Sequence, residues 1–172
     1  MKMIETHHFT SDEKLEWWGY GEWVEEPGEV LFEYKGMECK VTRRGIQEPG
    51  VKETFLFGGH LCGYIRIPDN HPYHHKDYED IPIDCHGGLT YGECSDKHWI
   101  GFDCAHCFDY IPSTEYIKKI LTMEGVLEPR PFYIKFKDNS FFKRSYKNIA
   151  FCIKECQSIV DQLLALASHP EQ

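Results

Sequence analysis

Hydrophobic and polar positions divide the chain into stretches of different period. From Val30, the residues Val30, Phe32 and Tyr34 alternate with Leu31, Glu33 and Lys35; beyond Gly36, Met37, Cys39 and Val41 alternate with charged residues. Period two predicts a hairpin with one wet face, turning at Lys35-Gly36. Thr54 to Phe57 and Gly63 to Ile67 read as further strands, separated by glycines that permit a bulge or a close backbone approach. Pro68 closes the second of these, and Asp69 to Glu79 reads as a polar surface loop holding His71, His74 and His75.

Ile81 to Asp109 follows as two short apolar runs, each ending in a cluster of His, Cys and Asp, and predicts a second hairpin. Beyond it, Ser113 behind Pro112 is a helix cap for the stripe Tyr116, Ile117, Ile120 and Leu121, with Gly125 as the stop. Phe132 to Phe136 reads as an edge strand. From a Ser145 cap, the apolar residues Ile149, Cys152, Ile153, Cys156, Val160, Leu163, Leu164 and Ala167 recur at three- and four-residue steps, which predicts a long helix covering one face of the sheet. Residues 1–28 form an acidic, aromatic arm with a short helix over Glu13 to Trp18, capped by Ser11 or Asp12. Its tryptophans either pack on the domain or form a patch for a partner. The expected fold is α+β: one domain, residues 29–172, with a mostly antiparallel sheet of about five or six strands under the long helix and a shorter one.

Composition narrows the function classes. A chain of 172 residues with 41% hydrophobic and 15% aromatic content can bury a core. The net charge of −9, with no basic run longer than Arg43-Arg44 or Lys143-Arg144, argues against nucleic acid as a partner. No run reaches the roughly 18 apolar residues of a membrane span, and no apolar signal segment opens the chain. The expected setting is therefore cytoplasmic, with the eight cysteines reduced.

The candidate chemistry sits on the second hairpin. Side chains alternate along a strand, so a connection centred near residue 95 sets Asp84 opposite His106 and His86 opposite Cys104. A one-residue slip instead sets His86 against Asp103. His86, Cys104, His106 and Asp84 then form a candidate metal set, Zn2+ being the ion whose ligands are thiolate, imidazole and carboxylate. Without a metal, His86 and His106 are candidate general bases, oriented by Asp84, Asp103 or Asp109, with Cys104 as a ligand or nucleophile. Cys85 and Cys107 add ligand atoms from the same runs, and His60 and Cys62 join if the segment Gly58 to Gly63 lies against the hairpin. For each cysteine, simple core packing is the competing explanation.

The stretches GHLCGYIRIP at Gly59 to Pro68, HPY at His71 to Tyr73, DYEDIPIDCHGGLTYGE at Asp77 to Glu93, HWIGFDCAHCFD at His98 to Asp109 and CIKECQSIVDQL at Cys152 to Leu163 carry a resemblance. In them the chain resembles a family of small uncharacterised proteins of phages, prophages and Gram-positive bacteria. It departs from that family at His98, where Trp is usual, and at His74-His75. The resemblance implies a phage or prophage setting; the expected protein is a small accessory one whose partner is a small molecule or a host protein. Two functions fit these residues: metal-assisted or His-assisted hydrolysis of a small molecule, and non-catalytic binding that sequesters a host metabolite or blocks a host protein.

Overall fold

The computed structural model of the chain describes residues 2–44, 58–93, 95, 97–114 and 144–168. Six strands, β1 (Met3–Thr6), β2 (Glu29–Tyr34), β3 (Met37–Arg43), β4 (Leu61–Arg66), β5 (Tyr91–Glu93) and β6 (Trp99–Asp103), form one antiparallel sheet in the order β1-β2-β3-β4-β6-β5. The α+β class follows from this sheet and its two helices, α1 (Ser11–Trp18) and α2 (Ile149–Ser168). No helix among the described residues is long and apolar enough to cross a membrane.

The period-two stretch folds as its pattern predicts. Val30 and Phe32 on β2 and Met37, Cys39 and Val41 on β3 are buried, while Glu33 and Glu38 face solvent. Lys35 and Gly36 both adopt positive φ, the two-residue turn whose twist matches the flanking strands. β4 is central and buried on both faces. At its Gly63 a Cβ would stand 2.3 Å from Phe102 and 2.8 Å from the Cys156 sulfur, so the missing side chain lets α2 approach the sheet. The core is the layer between them, with Leu61, Ile65, Ile100 and Phe102 meeting Cys152, Cys156, Ile159, Val160 and Leu163. Each such aliphatic or aromatic side chain contributes about 1.5–3 kcal/mol by leaving water.

Several boundaries differ from the sequence expectation. The run before β5 is not a strand: Pro82 has no N–H for a ladder, and Gly87 and Gly88 turn left-handed at φ 70° and 84°. The second hairpin is therefore the short β5–β6 pair, with Tyr91 opposite Gly101 and Glu93 opposite Trp99. Neither Asp84 opposite His106 nor His86 opposite Asp103 occurs. The long helix begins at Ile149 because Asn148 caps it, its Oδ1 accepting the Phe151 N–H at 2.9 Å. Ser145, the expected cap, instead exchanges backbone hydrogen bonds with Phe108 and Tyr110. Thr10 caps α1 in a reciprocal box with Glu13. The expected strands at Thr54 to Phe57 and Phe132 to Phe136, and the Ser113 helix beyond Thr114, lie outside the described residues.

The N-terminal segment adds β1 to the sheet edge and a second small core in which Trp23 stacks on Tyr110 at 5.5 Å. Beneath it lies a polar knot. Glu26 Oε2 accepts from Arg43 at 2.7 Å and from the Tyr146 hydroxyl at 2.6 Å, and Glu26 Oε1 accepts the Ile149 N–H at 2.9 Å. Lys14 is buried beside it and donates to the Val24 and Glu26 carbonyls. Burial, reinforced by the charge of Arg43, holds the Lys14 amine below its usual pKa.

Candidate functional site

β6 ends at Asp103, and the chain then folds back tightly. Asp103 Oδ1 accepts the Ala105 N–H at 2.9 Å, and Asp109 Oδ2 accepts the His106 N–H at 3.0 Å. Such Asp-to-backbone bonds hold the segment out of the ladder. The parallel bridge to Ser145 fixes Asp109 from behind and leaves its side chain 1% exposed.

His86 reaches the same point from the loop ahead of β5. Its N–H donates to Glu155 Oε2 at 2.9 Å, and the neighbouring Asp84 exchanges two backbone hydrogen bonds of 2.8 Å with the Gln162 amide. Glu155 and Gln162 stand seven residues apart, two turns on one face of α2, so the helix clamps the loop. The His86 ring packs edge-on against Phe151 at 5.3 Å.

One buried carboxylate therefore holds two imidazoles. His86 Nε2 lies 2.8 Å from Asp109 Oδ2 and 3.0 Å from Oδ1, and His106 Nδ1 lies 3.3 Å from Oδ2. The rings meet edge to face at 5.2 Å, with side chains 21% and 32% exposed. Burial alone would raise the pKa of Asp109, but hydrogen bonds from His86 and the His106 backbone hold it below the usual carboxylate range. With Asp109 ionised, His86 Nε2 and His106 Nδ1 are the donors to it, and His86 Nδ1 and His106 Nε2 are the ring nitrogens not bonded to the carboxylate.

The same three side chains match a metal ligand set, with one donor atom from each within 4.8 Å of the others. An ion there would replace the protons that His86 Nε2 and His106 Nδ1 share with Asp109; the N···O separations of 2.8 and 3.3 Å are close to the roughly 3.0–3.4 Å between ligand atoms about 2.1 Å from one ion. Both rings are partly exposed, so an ion held by these three side chains would be reachable by solvent.

The remaining candidates are placed differently. Asp84 is exposed, and Asp103 stands 4.0 Å from His106 Nδ1, the nitrogen that also faces Asp109. Cys104 is in the core with its sulfur 3.7 Å from that of Cys152; this contact, with burial, keeps its thiol protonated. Burial lifts the Cys85 thiol to about 12, and Cys107 is exposed. His60 and Cys62 line a cavity on the sheet face opposite α2. Of the loop histidines, His71 is buried and His74 half-buried, while His75 is exposed. His71 Nε2 donates to the Leu163 carbonyl at 2.9 Å, and the rings of His74 and His75 cluster with the fully buried His98.

Sequence reasoning named His86, His106 and Asp109 but missed the clamp of Glu155 and Gln162; their seven-residue spacing was the available signal. Comparison with protein-family models, curated proteins and solved structures finds no match.

Proposed function

We propose that His86, His106 and Asp109 bind a divalent transition metal, Zn2+ first among them, and that the protein hydrolyses a small molecule there. The observation that supports this is the buried Asp109 carboxylate gripping two half-open imidazoles. When bound at three protein ligands with a free position, such an ion activates water at neutral pH. Asp109 and the two rings would set its place, Glu155 and Gln162 hold the loop that carries His86, and Asp103 adds a second negative charge near His106 Nδ1. Cys104 has no part in this chemistry. The chain's motifs support a small cytoplasmic accessory protein of phage or prophage type.

Metal analysis of protein purified without chelator tests the proposal. About one transition-metal ion per chain is expected, with loss in His106→Ala and Asp109→Asn; a substoichiometric content of every transition metal overturns it. Hydrolysis of a chromogenic phosphate or carboxylate ester should stop with chelator and return with zinc.

A non-catalytic binder of a host metabolite is the second proposal. It is favoured by the way Asp109 already satisfies one nitrogen of each imidazole. Metal-free protein that retains ligand affinity would select it.

A further inference from the structure

On the sheet face away from α2, Arg44, His60, Cys62, Tyr64, Thr90, Tyr91 and Asp103 surround a cavity of about 310 Å³. Strand register explains why these side chains converge. Cys62 pairs with Asp103 on β6 and with Thr42 on β3, and Arg44, two residues beyond Thr42, exchanges backbone hydrogen bonds with His60 and Gly59. Residues two apart share a face. Arg44 and Asp103 therefore stand on the same side of the sheet, separated by β4, at two strand spacings of about 4.8 Å each.

Three features give this cavity a chemical preference. The Arg44 guanidinium brings a permanent positive charge, whose fork geometry matches carboxylate and phosphate. Among the described residues, His60 Nδ1 is buried without a hydrogen-bond partner, a condition that a ligand or water normally relieves. The Tyr64 and Tyr91 rings, edge to face at 5.3 Å, form an aromatic wall. Asp103 borders both the cavity and the candidate centre, since it lines the cavity and its carboxylate lies 4.0 Å from His106 Nδ1. The cavity is thus positive at Arg44 and negative where it meets the centre.

We propose that this cavity is the substrate pocket of the His86–His106–Asp109 centre and takes a small oxyanion-bearing molecule, with the carboxylate or phosphate on Arg44 and a polar group on His60. Its volume falls at the lower end of small-molecule sites and suits a metabolite rather than a peptide. The word substrate rests on the function proposed above; the oxyanion site does not.

Titration of the wild-type protein with inorganic phosphate and with malonate, followed by amide NMR and calorimetry, tests it. Saturable binding of at least one probe is expected, with shifts centred on the amides of Arg44, Cys62, Thr90 and Ala105. Arg44→Gln should weaken that binding at least tenfold and leave metal content unchanged. His106→Ala should lose the metal and keep the anion within about twofold. Absence of saturable binding, shifts centred elsewhere, or equal affinity in a folded Arg44→Gln protein overturns the pocket. Anion binding that survives in a protein shown to hold no metal retains the oxyanion site and removes only the hydrolytic centre.

Discussion

Gly87 lies flat against the imidazole of His106: a Cβ built on Gly87 would fall 2.1 Å from His106 Nε2 and 2.0 Å from its Cε1. No side chain fits there while Asp109 holds the ring. Gly88, next in the chain, has an equally left-handed φ of 84° but open space around its missing Cβ. The pair separates backbone strain from site geometry. Gly87→Ala and Gly88→Ala should both lose about 1–2 kcal/mol from the left-handed conformation. Gly87→Ala alone should also displace the His106 ring and weaken zinc binding at least tenfold, measured by competition with a chromophoric chelator. Equal zinc affinity in the two variants would show that His106 does not need this position.

Thiol reactivity should follow burial. Cys107 is exposed, whereas burial raises the Cys39 and Cys85 thiols to about 12 and Cys104 lies against Cys152. Because the thiolate is the reacting form, iodoacetamide at pH 8 should label Cys107 first among these four, as read by peptide mass mapping. Early labelling of Cys104 would mean that its surroundings open readily, and would restore it as a candidate nucleophile.

Much of the fold was legible because it depends on period alone. Val30 to Val41 alternates, and the α2 stripe repeats, whatever they pack against. The site is different in kind. Asp84, Cys85 and His86 resemble the end of a strand until Pro82, Gly87 and Gly88 are weighed together. The contact that places His86 then comes from Glu155, 69 residues away and on the polar face of a helix. Asp109 looks like one more loop carboxylate in the sequence; only the bridge to Ser145 reveals that it is buried.

Stability should fall on mild acidification. His98 is fully buried, and burial together with the charges of His74 and His75 lowers its pKa below the ordinary 6.5. Its neutral form is the one the fold accepts, so the unfolded chain binds the proton first. The stability from His98 is complete above about pH 6.5 and is lost as the pH drops through that value towards the lower folded one. Asp109, also lowered but from 3.8, loses its contribution only in a more acidic window. Melting temperatures from pH 7.5 to 5 should decline in wild type and decline less in His98→Phe; parallel curves would exclude His98 as the cause.

The Glu26 knot should be worth several times a surface ion pair. Arg43 is fully buried, so removing the carboxylate strands a cation away from water. Glu26→Ala should cost about 3–5 kcal/mol, or about 10 °C in Tm for a chain of this size. A loss under about 1 kcal/mol in chemical denaturation would show that the knot is replaceable.

The hydrogen bond from the Ile149 N–H to Glu26 joins residues 123 positions apart. During synthesis the acceptor leaves the ribosome 123 residues before its donor. At about 5–20 residues per second, the interval is several seconds at least. The helix that carries Glu155 and Gln162 cannot dock until then, so His86 has no clamp before α2 has emerged. A nascent chain that has not yet released α2 would thus carry His86, His106 and Asp109 without the contact that places His86.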